Sequence, residues 1–465
     1  MAKQSSNSLR HIAELISQNK HLEEENIRLQ QQIENLTIEV DRYKSLLSKY
    51  KIETQEKEIE ISKSSNVLKF KTATVLYADT QGFSNISEYS DSKILVDNLD
   101  ELFIQLTEII NKYEIKNLRS VGDTLMCVGG IPQKNITNPI EVVQAAIEMQ
   151  YYMKDLQRTY NNDKIWDLRM GIHTGPVVAT ITGRRKINYE VKGDSVNLAA
   201  RIRSYCECGQ ILISETTYEL VKDLFNCEYY NKMPVKYKGD MQVYVVRGIK
   251  SDYSLQKKGL IPNKKFSIRF GLIQFTDLQE LMLNKLEREL PENLFYHNIK
   301  HTIDVVTQVE LIGIGEGVGD EDLLLLKTAA LFHDSGHILG YDNHEMFAAI
   351  IAREILPDYY YTQTQIEKIC ELIMSTKLPP SPKNKLEMIM CDADLDYLGR
   401  SDMIPVSNSL YNELKELNKI GSLNDWNKLQ IKFISSHQYF TKTAQSLREV
   451  NKQMQIERIK NLIED

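Results

Sequence analysis

Between residues 9 and 50, apolar positions return every seven residues in two interleaved series. One holds Ile12, Asn19, Asn26, Ile33, Val40 and Leu47, and the other Leu15, Leu22, Leu29, Leu36, Tyr43 and Tyr50. A sustained heptad predicts a coiled coil, and Asn residues inside the buried seam pair best in a parallel two-stranded arrangement. A parallel homodimer is therefore expected. The alternative is a lone amphipathic helix lying on its own globular domain. Charged residues fill Lys51 to Lys63, and Ser64-Ser65-Asn66 ends the helical pattern.

From Val67 the period changes. The spacing predicts a strand ending at Asp79, a helix over 91–113, a hairpin around Asp123 and a helix over 139–158 opened by Pro139. Strands over 166–180 and 187–192, a helix through Asn197, a strand over 210–214, a helix over 215–224 and a strand over 241–247 follow. This alternation with one hairpin predicts an antiparallel or mixed sheet with helices on one face, a ferredoxin-like α+β core. Ser251 to Pro262 reads as a polar linker, and nearly everything beyond it has helical spacing. The chain thus divides into residues 1–65 (coiled coil and signalling helix), 66–250 (α+β) and 251–465 (all-α).

Composition narrows the classes. A chain of 465 residues, 42% hydrophobic and 26% charged, is an ordinary soluble sequence long enough for two or three domains. Its net charge of -7 argues against a nucleic-acid binder, which needs a basic face to neutralise phosphates. No apolar run approaches the ~20 residues that cross a bilayer, and the first residues lack a signal-peptide core, so no membrane association and a cytoplasmic location are expected. Six scattered cysteines read as free thiols in a reducing compartment, and Cys206-x-Cys208 lacks the second pair that zinc requires.

Candidate chemistry begins at the end of the first strand. In KTATVLYADTQGF, Asp79 closes a buried run beside the flexible Gly82, a position that suits a hard cation. In RSVGDTLMCVGG, Gly122-Asp123 fits a hairpin turn. Were the two strands neighbours, Asp79 and Asp123 would share two divalent ions, as phosphoryl or nucleotidyl transfer requires. Either acid alone reads as a turn former or helix cap. After Gly193-Asp194, SVNLAARIRSY starts a helix with Asn197 and Arg201 four apart on one face, and Val196, Leu198, Ala199 and Ile202 available for burial.

In order, D-x-x-G-F, G-D-T-L-M and G-D-S-V-N-L-A-A-R resemble the catalytic motifs of class III nucleotide cyclases, and GIHTGPVVA (171–179) resembles a further segment of that family, over about 180 residues. The resemblance implies the family's α+β fold and formation of a 3′,5′-cyclic nucleotide and pyrophosphate from a nucleoside triphosphate. Asp79 and Asp123 would hold two Mg or Mn ions, Arg201 would meet the charge growing on the α-phosphate, and Asn197 would orient the ribose. Lys236 and Lys238 match the triphosphate-binding segment, Lys236 the better; Lys238 also reads as part of an exposed basic turn. In the family the acids and the Asn–Arg pair of one site come from opposite subunits, so a monomer would hold two half-sites.

Base selection departs from the family pattern. Arg119 stands where adenylate cyclases usually carry Lys, and Glu190 where they carry Asp or Thr; guanylate cyclases place Glu and Cys there. A donor and an acceptor remain, which disfavours guanine, and both side chains are longer, which favours a smaller base. Bacterial pyrimidine cyclases of antiviral signalling systems are class III relatives, so UTP or CTP is the expected substrate, with ATP as the alternative. Arg119 and Glu190 could instead pair with each other and touch no base. A reading from another class is an inactive nucleotide sensor, but no metal acid and neither member of the Asn–Arg pair is missing.

Five of nine histidines fall between residues 297 and 344, in Tyr296-His297-Asn298-Ile299-Lys300-His301, Phe332-His333-Asp334-Ser335-Gly336-His337 and His344-Glu345. An acidic patch, Asp392-Ala393-Asp394, lies on a later apolar segment. Histidine and carboxylate ligands converging from several helices make a metal site. The pattern resembles the HD phosphohydrolase superfamily, and Y-H-N-x-x-H is similar to its cyclic-nucleotide phosphodiesterase branch. That resemblance implies His301, His333, Asp334 and Asp394 as ligands of Mn, Fe, Co or Zn and His297 as the acid that protonates the leaving oxygen. His337 and His344 read as supporting or core residues. The domain is expected either to hydrolyse a cyclic nucleotide or other phosphate ester, or to bind a nucleotide and regulate dimer geometry.

Overall fold

The computed structural model describes residues 67–81, 92–121, 124–159, 167–182, 188–235 and 239–463, with isolated helical positions at 25, 28 and 30. The expected coiled coil, Asp123, Lys236 and Lys238 lie outside the described residues. Val67–Asp465 forms one compact unit.

Its first half is an eight-stranded sheet in the order β2-β3-β1-β4-β6-β8-β7, with β5 paired to the far end of β4. The strands are β1 (Val67–Gln81), β2 (Lys116–Val121), β3 (Thr124–Gly129), β4 (Asp167–Thr182), β5 (Asn188–Lys192), β6 (Ile211–Ser214), β7 (Phe225–Val235) and β8 (Gly239–Ile249). Among the described residues only β4 and β6 run parallel and every other pair is antiparallel, so the sheet is mixed as expected.

β1 is buried on both sides. Leu76 and Ala78 enter the larger core, whereas Ala73 and Val75 enter a smaller one on the opposite face, as a two-residue period dictates. A register shift between Phe70 and Ala73 lets Phe70 join that second face despite the odd spacing. Helices α1 (Ser92–Lys112) and α2 (Asn138–Thr159) cover the larger core with Leu102, Leu106 and Ile110 and with Ile140, Val143 and Met149. α3 (Asp194–Tyr205) lies on the other face, where Ala199 joins Val75 and Val177. The sheet therefore carries helices on both faces, not one, because α3 buries Leu198, Ala199 and Ile202 against the side that α1 and α2 leave open. Gly171 makes this possible: a β-carbon there would stand 2.1 Å from the Arg203 amide nitrogen. The short α4 (Glu215–Val221) follows β6, its first turn capped by Ser214.

β7 is a strand that the sequence pattern does not reveal. It closes the sheet at one edge with mostly exposed or half-exposed residues and contains Pro234, so an apolar alternation never builds up. The expected linker is ordered as two 3₁₀ turns, Ser251–Tyr253 and Leu255–Lys257, with a bridge between Ser254 and Pro262.

Nine helices follow among the described residues: α5 (Lys264–Glu289), α6 (Ile299–Gly315), α7 (Asp320–Phe332), α8 (His344–Ile355), α9 (Gln363–Ser375), α10 (Lys385–Asp394), α11 (Met403–Glu416), α12 (Leu423–Ser436) and α13 (Lys442–Lys460). Leu278, Val309, Leu331, Ala348 and Ile369 from five of them form one core, and the metal-ligand motifs sit at the helix ends around it.

Candidate active sites

The first site forms where β1 and β4 run side by side. Asp79 is paired in register with Arg169, so both side chains leave the same face. Arg169 grips the carboxylate with both arms of its fork, Nε to Oδ1 at 2.6 Å and Nη2 to Oδ2 at 2.7 Å, and Arg203 of α3 adds Nη1 to Oδ2 at 3.2 Å. The carboxylate of Asp79 is 7% exposed, so these charge-assisted bonds are shielded from water. Its hydrogen bond and charge raise the Arg169 pKa above the ordinary arginine value. One acid between two guanidinium groups is a locally positive site. A divalent cation is held there only with further negative charge, which a second carboxylate and a triphosphate would bring. Thr124, the residue after Asp123, is the register partner of Asp79 on β3.

Asn197 and Arg201 are exposed on α3, as the four-residue spacing predicts. Arg203 lies roughly 200° around the helix from Arg201, at about 100° per residue, and points inward to Asp79. The predicted Asn–Arg pair therefore faces away from the predicted metal acid of its own protomer. Glu190 on β5 is exposed and ion-paired with Lys192 at 2.9 Å, a surface contact of little energetic weight. Arg119 lies on β2 opposite Met126.

The second site is complete within one chain. His301 enters from the first turn of α6, where the Asn298 side chain accepts from the Lys300 and His301 amides. His333 caps the C-terminus of α7, Asp334 follows it, and Asp394 ends α10. His301 Nε2 and His333 Nε2 are 3.3 Å apart, and Asp394 Oδ1 is 3.2 and 3.5 Å from them. Asp334 Oδ2 is 3.3 and 3.1 Å from the same nitrogens. Ligands at ~2.1 Å from one ion would be separated by about 3.0 Å in a cis-octahedral and about 3.4 Å in a tetrahedral arrangement, so each carboxylate oxygen has coordination spacing to the two imidazole nitrogens, and His301, His333 and Asp394 form one group that could hold an ion. The His333 Nδ1–H donates to the Ala330 carbonyl at 2.8 Å, leaving the Nε2 lone pair for the site. Burial opposes charge on His333, yet Asp334 and Asp394 outweigh it and hold the imidazole well above its ordinary pKa.

His297 is fixed by a residue that sequence reasoning missed. Its Nδ1 makes a short hydrogen bond to Glu413 of α11, and Glu413 Oε2 also accepts from the amides of Tyr296 and His297 at 2.9 and 3.1 Å. With Nδ1 engaged by Glu413, Nε2 is the nitrogen left for chemistry, and one ring nitrogen of His297 lies within 4.8 Å of ligand atoms of Asp334 and His337. His337 is fully buried with neither ring nitrogen hydrogen-bonded, and burial pushes its pKa down to about 2. It stacks on His344 at 4.1 Å, and His344 Nε2 is 3.6 Å from Asp334 Oδ1. Asp334 therefore turns Oδ2 toward the four-ligand cluster and Oδ1 toward His337 and His344. The group His297, Asp334 and His337 also has metal-binding spacing.

The arrangement defines a mixed-sheet α/β domain joined to a helical domain with a converging His/Asp cluster. Residues 66–248 match the adenylate and guanylate cyclase catalytic domain and residues 298–396 the HD domain: the chain joins a class III nucleotide cyclase domain to an HD domain. An adenylate cyclase of Mycobacterium tuberculosis is 32% identical over 182 residues, covering 39% of this chain and 41% of that protein. The receptor-type guanylate cyclase gcy-8 of Caenorhabditis elegans is 30% identical over 189 residues, covering 40% of this chain and 16% of that protein. The chain thus spans about two fifths or less of these relatives. The crystal structure of the adenylyl cyclase CyaB from P. aeruginosa aligns with a TM-score of 0.37 at 31% identity, covering 39% of this chain and 95% of that one. Among the described residues no helix is long and apolar enough to cross a membrane.

Proposed function

We propose that residues 66–250 convert a nucleoside triphosphate to a 3′,5′-cyclic nucleotide and pyrophosphate in a parallel homodimer, and that residues 251–465 form a metal-dependent phosphohydrolase. The observation that carries the cyclase reading is the opposed orientation of Asp79 and the Asn197–Arg201 pair. One protomer offers half of a site, and a two-fold partner supplies the rest.

Asp79 and Asp123 would hold two Mg²⁺ or Mn²⁺ ions, whose charge would acidify the ribose 3′-hydroxyl and neutralise the triphosphate. Arg169 and Arg203 keep the Asp79 carboxylate oriented and lower its affinity for a cation arriving without a nucleotide. From the facing protomer, Arg201 offers two parallel donors to the α-phosphate and Asn197 positions the ribose. Lys236 and Lys238 neutralise the outer phosphates. Arg119 and Glu190 present a donor and an acceptor to the base, which favours an amino-bearing ring, and their length favours cytosine over adenine. That the named relatives are adenylate and guanylate cyclases makes ATP the first alternative. Incubation with each of the four nucleoside triphosphates and Mn²⁺, with products identified by mass, tests both points. Absence of any cyclic product refutes the cyclase reading, and cyclic AMP alone refutes the pyrimidine preference.

In the second domain His301, His333, Asp334 and Asp394 would hold Mn, Fe, Co or Zn, which when bound activates water for attack on phosphorus. His297, held by Glu413, delivers a proton from Nε2 to the leaving oxygen. The tests are metal analysis of the purified chain and release of monophosphate from cyclic nucleotides. A chain that binds metal but releases none is a regulator.

A further inference from the structure

Helix α5 belongs to two cores at once. Phe266 is buried in the cyclase core, edge-to-face on Phe225 at 5.9 Å, whereas Phe275, Leu278 and Met282 lie in the HD core. Between them Gly271 brings α5 so near α7 that a β-carbon there would stand 2.7 Å from a Leu324 methyl. Helix α7 ends at His333, so the helix that presents the His-Asp pair rests directly on α5. The 3₁₀ turn Ser335–Ile338, which carries His337, also packs on it.

From the middle of α5, Asp277 reaches the cyclase. Its two carboxylate oxygens accept the backbone N–H of Ile136 at 2.9 and 3.2 Å. Ile136 lies in the loop before α2, where Asn135 and Thr137 each donate to Glu141 at 3.0 Å. Asn138 ties the loop to the sheet: its amide donates to the Asn135 carbonyl, and its Oδ1 accepts from Thr74 of β1 at 2.5 Å. Hydroxyls continue from Thr74 to Thr174 at 2.9 Å, to Thr217 at 3.0 Å and to Ser214 at 3.0 Å, and His173 Nδ1 closes the row 2.8 Å from Ser214. Because Thr74 gives its proton to Asn138, each hydroxyl in turn donates toward it, and His173 must donate from Nδ1. One hydrogen-bond polarity thus runs from the Asp277 loop to β4. That strand holds Asp79 through Arg169 and carries α3, with Asn197 and Arg201, over Gly171.

We propose that this clasp makes the cyclase answer to the HD site: a shift of α7 on metal or ligand binding moves α5, and Asp277 passes it through Ile136 to β4. The proposal rests on the reading of residues 66–250 as an active cyclase. The two states it requires are Asp277 bonded to Ile136 and Asp277 released. The junction gathers acids. Burial pushes Glu141 up to about 7, with Glu114 and Asp277 adding to the effect, and Asp277 up to about 6, with Glu280 adding.

The test compares full-length wild type, His333→Ala, Asp277→Ala, their combination and Asp277→Asn for initial rate of cyclic-nucleotide formation. His333→Ala should change the wild-type rate at least about twofold, a coupling of ordinary size for such networks. The same change should vanish in the Asp277→Ala background. It should persist with Asp277→Asn, whose amide oxygen still accepts from Ile136, and this conservative variant also controls for misfolding. Equal effects of His333→Ala in both backgrounds, or none in wild type, overturn the proposal. If no nucleotide is turned over at all, the cyclase reading has failed on its own, and hydrogen exchange decides the clasp. Added Mn²⁺ should then slow exchange at Ile136 and along β4 in wild type and not in Asp277→Ala; unchanged exchange in wild type overturns it.

Discussion

The two candidate sites differ in how much of the machinery one protomer owns. Around Asp334, side chains from helices far apart in sequence converge with ligand atoms 3.1–3.5 Å apart, and Ala330 and Glu413 fix two of the imidazoles from behind. Around Asp79 the described residues supply one buried acid with two arginine clamps, while Asn197 and Arg201 face solvent. The cluster around Asp334 is preorganised by the packing of its own fold. Around Asp79 the exposed pair and the buried acid face apart. A buried cluster advertises its chemistry within one molecule, whereas an exposed pair of catalytic type acquires meaning only from what it opposes.

The sharpest way to break this contrast is complementation. Asp79→Ala with Asp123→Ala should lower cyclic-nucleotide formation by about 10³-fold or more, the equivalent of some 4 kcal/mol of lost charge stabilisation, and Arg201→Ala should do nearly the same. Mixing the two inactive proteins should restore activity, because one of the two composite sites of the mixed dimer has both its acids and its Asn–Arg pair intact. Failure to restore would put both halves in one protomer. At the HD site His333→Ala should remove tightly bound metal, read by elemental analysis, and mixing with Asp394→Ala should restore nothing. Next in size, Glu413→Gln should slow ester hydrolysis about 10–100-fold while the metal held by His301, His333, Asp334 and Asp394 stays bound, since it orients His297 and touches none of those four. The smallest effect concerns the junction. Glu141, faced by Glu114, Asp277 and the Tyr360 phenol, has a folded-state pKa raised to about 7. The folded chain therefore binds the proton more tightly than the unfolded chain, and stability rises as pH falls from about 8 toward 5. Melting temperature should increase by a few degrees over that range, and Glu141→Gln should flatten the increase.

Much of this was legible in the residues. Asn197 and Arg201 share a face because helical spacing forces it, and the histidine motifs at 297–301 and 333–337 converge because helix ends are where the core admits polar groups. What stayed hidden depends on pairing between distant segments. Arg169 reads as one more charged residue until β1 and β4 are set in register, and Arg203 is overshadowed by Arg201 two residues earlier on the opposite face. Glu413 lies more than a hundred residues from His297 in a segment with no motif of its own. His337 and His344, read as supporting or core residues, line the far side of Asp334, where the missing hydrogen bonds of His337 set it apart from a packed imidazole.

The single run of helix shared by both cores also bears on how the molecule comes apart. Cutting the chain just after β8 would strip Phe266 from Phe225 and leave an apolar scar on one piece and a frayed, unsupported end on the other. Heat should therefore melt the two domains in one calorimetric peak, and a protease should find no quiet seam between them. Two domains soldered through a common beam are inherited, expressed and lost together.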